Sequence, residues 1–93
     1  MGKYQIVASE KAKSDLSEVA RSGNKPMMRK IEKLIKELAE HPTTGTGKPE
    51  LLKGTTGAIW SRRIDKKNRL VYTIQDEKVV VLILAALGHY HDK

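Results

Sequence analysis

A chain of 93 residues with a formal net charge of +7 and no cysteine has room for one folded domain and excludes disulfides and thiolate metal centres. Its longest apolar run, residues 79–87, falls well short of the ~20 residues a membrane-spanning helix needs, and Met1-Gly2-Lys3-Tyr4 lacks the apolar core of a secretory signal. The surplus of positive charge favours a polyanionic partner, nucleic acid or an acidic protein, and the missing thiols fit a reducing cytoplasm.

Residues 4–8 form a short β-prone run. Ser9 follows as an N-cap, its hydroxyl able to accept from the free N–H groups of a helix start, and Glu10 meets the positive end of the helix dipole. Ala12, Leu16, Val19 and Ala20 recur at helical spacing, and Gly23 suits the left-handed residue that closes a helix. A second helix begins near Pro26, a residue tolerated in a first turn. Met27, Met28, Ile31, Leu34, Ile35 and Leu38 give it an apolar stripe, and Arg29, Lys30, Glu32, Lys33, Lys36 and Glu37 a charged side. It ends near His41, because Pro42 disfavours helical geometry in the preceding residue.

Residues 42–49 read as a loop. Gly45-Thr46-Gly47-Lys48 within it resembles part of a phosphate-binding loop, at the wrong spacing. Three strands are predicted next, over residues 58–64, 69–75 and 78–87. Asp65-Lys66-Lys67-Asn68 joins the first two, with Asn68 at positive φ closing a bulged turn. That register sets Asp65 opposite Arg69 and Arg63 opposite Val71. Alternation puts Arg63 and Arg69 on one face and Ile64, Leu70, Tyr72 and Ile74 on the other. Asp76-Glu77 reads as the next tight turn. The apolar run 79–87 does not alternate and predicts a central strand. The expected architecture is a single α+β domain over residues 1–93: two N-terminal helices packed on one face of a small antiparallel sheet in the order β-α-α-β-β-β, with a basic opposite face.

Between residues 48 and 69 the cations Lys48, Lys53, Arg62, Arg63, Lys66, Lys67 and Arg69 outnumber the acids Glu50 and Asp65. A carboxylate among cations suits the metal-free cutting of RNA. There the ribose 2′-OH attacks the adjacent phosphate, and the reaction needs a base, an acid for the departing 5′-oxygen, and positive charge at the phosphorane. Glu50 is the candidate base. Arg69 is the candidate phosphate ligand, its fork able to bind in bidentate fashion. His89, just past the last strand, is the candidate acid. Lys48, Lys53, Arg63 and Tyr90 are candidate RNA and phosphate contacts, Tyr90 also by stacking. Arg62 has the opposite strand parity and is a weaker choice. His89 and His91 lack an evident third ligand, so no metal and no cofactor are expected.

Gly47-Lys48-Pro49-Glu50-x-Leu52-Lys53, Trp60-Ser61-Arg62-Arg63-Ile64, Arg69-Leu70-Val71-Tyr72 and Gly88-His89-Tyr90 together resemble the YoeB/Txe toxins of bacterial type II toxin–antitoxin systems, within the RelE superfamily. The resemblance implies a RelE-like fold and a ribosome-dependent endoribonuclease that cuts mRNA in the A site. By residue it implies Glu50 as general base, Arg69 as phosphate stabiliser and His89 as general acid, with Lys53, Arg63 and Tyr90 in support. It further implies a cognate antitoxin of the YefM/Axe type, toxin–antitoxin complexes that meet operator DNA through the antitoxin, and a bacterial cytoplasmic location. The chain departs from the pattern in continuing through His91-Asp92-Lys93, which makes His91 an alternative acid, and in carrying Leu51 after Glu50. A non-catalytic ribosome-, RNA- or antitoxin-binding module of the same fold is the alternative reading, and a DNA-binding repressor subunit a weaker one, since no helix-turn-helix signal is present.

Overall fold

The computed structural model describes residues 3–47, 49–52, 59–75 and 78–87. Strand β1 (Gln5–Ala8) leads into helices α1 (Glu10–Ser22) and α2 (Lys25–Glu40), followed by β2 (Glu50–Leu52), β3 (Ile59–Arg63), β4 (Arg69–Gln75) and β5 (Val80–Ala85). The five strands form one sheet in the order β1-β5-β4-β3-β2. The α+β layering is as expected, two helices against a sheet, but the sheet is mixed and contains β2, a three-residue strand that the expected order lacked. β1 pairs parallel with β5, and all other pairs are antiparallel. Parallel pairing of the first and last strands requires a long crossover, which the helices and three intervening strands supply.

The helix ends follow local chemistry. Ser9 Oγ accepts the Ala12 N–H at 3.1 Å and donates to the Leu84 carbonyl at 3.0 Å, so one hydroxyl caps α1 and ties it to β5. Gly23, at φ 76°, closes α1 in the left-handed region. Asn24, unrecognised in the sequence, caps α2 by accepting from the Met27 N–H, and Pro26 sits in the first turn. The core joins Ile31, Leu34 and Leu38 of α2 to Leu70, Tyr72, Val81 and Ile83 of the sheet, with Ala12 and Val19 of α1.

Three details correct the sequence reading. Arg63 pairs with Arg69, not Val71. Asp65 is the reason: its Oδ1 accepts the N–H groups of Lys67 (2.8 Å) and Asn68 (2.7 Å), which folds residues 64–68 into a turn and leaves no Asp65–Arg69 pair. Asn68 needs no positive φ, and among the described residues Val79 alone of the non-glycines has one. The shift is by two residues, so every side chain keeps its face. Second, β4 is the middle strand. β5 is internal, with Val81 and Ile83 buried but Val80 and Leu82 only half-buried. Third, among the described residues the face away from the helices is basic only at its β2–β3–β4 end. Elsewhere it carries Val7, Thr73 and Leu82, by register with the core-facing residues. The expected Asp76-Glu77 turn lies outside the described residues.

The buried stripe of α1 is Ala12, Asp15 and Val19, with Ala20 exposed. Asp15 Oδ2 accepts the Ala86 and Leu87 N–H groups at 3.0 and 3.2 Å, and Lys11 Nζ lies 2.9 Å away. This carboxylate therefore holds the chain where it leaves β5. Burial raises the Asp15 pKa, but the Ala86 N–H, Lys11 and the Leu87 N–H outweigh it and leave the group below its ordinary value. A depressed carboxyl contributes stability above its unfolded pKa of about 4 and loses it as pH falls through the folded value. Asp15→Ala is expected to cost about 1–3 kcal/mol at neutral pH, because it strands buried N–H donors. Urea midpoints measured across the acid range should also converge, the gap between wild type and variant closing below about pH 4. A constant gap down to the lowest pH would mean that Asp15 is not the titrating group.

Candidate active site

Glu50 is the first residue of β2 and pairs with Ser61, while Arg69 is the first residue of β4 and pairs with Arg63. Cross-strand partners share a face, so the registers bring Glu50, Ser61, Arg63 and Arg69 to the side away from the helices. Arg69 Nη1 lies 3.2 Å from Glu50 Oε1 and 3.2 Å from Ser61 Oγ. The buried serine hydroxyl, unpredicted from the sequence, thus steadies the guanidinium from below. Its only sequence signal is its two-residue spacing from Arg63. Glu50 is 61% and Arg69 27% exposed, and so exposed a pair adds about 0–1 kcal/mol at most. Its consequence is geometric: a half-free carboxylate and a held guanidinium line one cavity of about 290 Å³ with Gly47, Pro49 and Arg63.

That arrangement can take a phosphodiester at Arg69 and Arg63 and present a carboxylate to a neighbouring hydroxyl. Glu50, Arg63 and Arg69 are therefore brought together. Lys48, Lys53, His89 and Tyr90 lie outside the described residues, as do His91, Asp92 and Lys93. Among the described residues, no three His, Asp or Glu side chains converge in a way that could hold a metal ion. Arg62 points the other way, as its parity implied. It is fully buried, and its Nη1 meets Glu37 Oε1 at 2.9 Å.

The glycines of residues 45–47 serve packing. Gly47 has φ +84°, and a Cβ there would lie 2.9 Å from the Arg63 carbonyl oxygen. Gly45 has φ +118°, and a Cβ there would collide with Glu37 Oε1. The Gly47 carbonyl accepts the Arg63 N–H at 2.8 Å, so this loop lies against β3 and forms a wall of the cavity. Gly47→Ala is expected to destabilise the fold by about 1–3 kcal/mol, from left-handed strain and backbone contact together. Thermal unfolding should detect it, and an unchanged transition would mean the loop can leave β3 without cost.

A sequence model of the family described as "YoeB-like toxin of bacterial type II toxin-antitoxin system" matches residues 9–90. The chain belongs to that family. Among its relatives, the toxin YoeB of Synechocystis is 45% identical over 67 residues, covering 72% of this chain and 76% of the relative. A solved YoeB/ParE toxin from Agrobacterium tumefaciens superimposes with a TM-score of 0.85 at 31% identity, over 92% of this chain and 99% of the other. The toxin of a YoeB–YefM complex from Staphylococcus aureus does so with a TM-score of 0.77 at 37% identity, over 94% and 98% of the two chains. As a YoeB-like toxin, the chain carries Glu50, Arg63 and Arg69 together on the sheet face away from the helices.

Proposed function

We propose that this YoeB-like toxin is a ribosome-dependent endoribonuclease that cuts mRNA in the A site without a metal or cofactor. The observation that carries the reading is the Glu50–Arg69 contact of 3.2 Å on the rim of a cavity that Arg63 also lines. Glu50 takes the proton of a ribose 2′-OH as its oxygen attacks the adjacent phosphorus. Arg69, with Arg63 beside it, bears the negative charge that gathers on the phosphorane oxygens. The bond to the 5′-oxygen breaks, and His89 returns a proton to that oxygen, leaving a cyclic 2′,3′-phosphate and a 5′-hydroxyl. Lys48, Lys53 and Tyr90 supply further contacts to the RNA. Among the described residues no other carboxylate lines the Glu50 cavity, which suits a site that must attract a polyanion and still remove a proton.

The Staphylococcus aureus relative was solved as a complex with YefM, which supports a YefM/Axe-type antitoxin as this toxin's partner in the bacterial cytoplasm. An acidic segment that orders on binding suits a surface of net charge +7. Contact with operator DNA then runs through the antitoxin.

Primer extension on ribosomes programmed with a defined mRNA tests the reading. New 3′ ends within the A-site codon are expected on adding the toxin, and none when antitoxin is added first. Ribosome binding without new ends would overturn the nuclease and leave a binding module.

A further inference from the structure

The loop at residues 41–47 is gripped along its length by side chains from the helix side of the sheet, none of which belongs to the proposed catalytic set. Arg62 Nη2 donates to the carbonyls of His41 and Thr44, the latter at 2.6 Å, and Nη1 reaches the Thr46 carbonyl at 3.4 Å. Glu37 accepts the Thr46 N–H at Oε1 and the Thr46 hydroxyl at Oε2, each at 2.7 Å. The Tyr72 hydroxyl accepts from Arg62 Nε at 3.3 Å and donates to the Pro42 carbonyl at 2.6 Å. Glycines at 45 and 47 permit the approach, and the Arg63 N–H to Gly47 carbonyl bond closes it.

A fully buried guanidinium is costly unless every donor is used, and here Nη1 and Nη2 reach three carbonyls of the segment that delivers Pro49 and Glu50 into the sheet, while Nη1 also meets Glu37 and Nε the Tyr72 hydroxyl. Gly47 and Pro49 are also walls of the cavity that holds Glu50 and Arg69. Arg62 and Arg69 thus stand on opposite faces of neighbouring strands, the first fixing the backbone that carries the carboxylate, the second meeting that carboxylate directly.

We propose that Glu37 and Arg62 are positioning residues: their clamp on residues 41–47 sets where the Glu50 carboxylate stands relative to Arg69. The proposal rests on the nuclease reading for its kinetic consequence, and on geometry alone for its structural one.

Glu37→Ala, Glu37→Gln and Thr46→Val test it. Thr46 lies in a loop outside the core, so Thr46→Val folds even if the changes at Glu37 do not. In single-turnover cleavage on programmed ribosomes, Glu37→Ala and Thr46→Val are expected to lower the saturating rate by about 10- to 100-fold, the scale of a ~1 Å misplacement. The toxin concentration for half-maximal rate should stay within about 2-fold, since binding groups are untouched. Glu37→Gln, which keeps an acceptor for the Thr46 N–H, should recover part of the rate. Independently, the Arg69 guanidinium resonance of each variant, read by 15N NMR without RNA, should move as its contact with Glu50 loosens. If the wild type cuts and Thr46→Val cuts equally fast with an unmoved Arg69 signal, the positioning role is wrong. If the wild type does not cut, the nuclease reading fails, and the Arg69 signal alone decides the clamp: moved supports it, unmoved overturns it.

Discussion

Glu50→Ala is expected to slow mRNA cleavage on the ribosome by about 10²–10⁴-fold, the usual worth of a general base, while leaving the fold intact. The two halves of that expectation come from different observations. The rate should fall because, among the described residues, Glu50 is the one carboxylate lining the cavity with Arg63 and Arg69, and it stands where a 2′-OH proton must go. Stability should not fall, because the side chain is 61% exposed and its ion pair with Arg69 is an exposed one, worth little in water. Arg69 also keeps its contact with Ser61 Oγ when Glu50 is cut back. The guanidinium therefore stays in place, and RNA affinity should rise slightly or hold as a like charge leaves the site. His89→Ala is expected to show the same scale of rate loss on the leaving-group side. The measurement is the single-turnover rate at saturating toxin beside a thermal melt of the same preparation. A Glu50→Ala protein cutting at the wild-type rate would remove the carboxylate from the chemistry and leave Arg69 acting by charge alone. One that cuts slowly and also melts early would put the effect down to misfolding.

What the sequence revealed and concealed follows the range of the forces involved. Ser9, Gly23 and Pro42 mark helix ends through bonds or backbone restriction within a few residues, and the helices end there in the structure. The shared face of Arg63 and Arg69 survived a mistaken register, because a two-residue slip preserves parity. Asp65 was misjudged as a cross-strand partner when its carboxylate turns to its own loop, a competition that Asp commonly wins in turns. Asp15 was invisible for another reason: a carboxylate on a helix reads as solvated, and its partners at Ala86 and Leu87 come from the far end of the chain. The parallel β1–β5 pair is equally non-local, and β2 is too short to show a period. Of the candidate site, the residue types and the shared face of Arg63 and Arg69 were legible; Glu50 was read only as a carboxylate just before the sheet, and its place on β2 was not. Ser61 beneath Arg69 was not, because a buried serine in a strand carries no distinguishing pattern.

Arg62 presents the sharpest case of what a pattern leaves out, and its removal should have the largest effect on stability. Its strand parity assigns it to the helix face, where a lone arginine normally snorkels to water. Here it is fully buried, because Glu37, 25 residues earlier on α2, offers Oε1 at 2.9 Å. The Thr46 hydroxyl is foremost in holding Glu37 below its ordinary pKa, with the Thr46 N–H and Arg62 adding to it against the opposing effect of burial. The carboxylate is thus charged at neutral pH. Arg62→Leu is expected to cost about 3–5 kcal/mol, since it breaks a buried pair from one side. Most of that cost lies in the carbonyls of His41, Thr44 and Thr46, which lose their donor; Glu37, 23% exposed, can recover some water. Against a typical total of about 5–15 kcal/mol, such a loss should move the urea midpoint sharply with the slope unchanged. A midpoint shift worth less than about 1 kcal/mol would mean that water replaces the guanidinium at those carbonyls. The contrast with Glu50 is then diagnostic: on neighbouring strands, the side chain facing the cavity should govern rate without stability, and the one facing the helices should govern stability first.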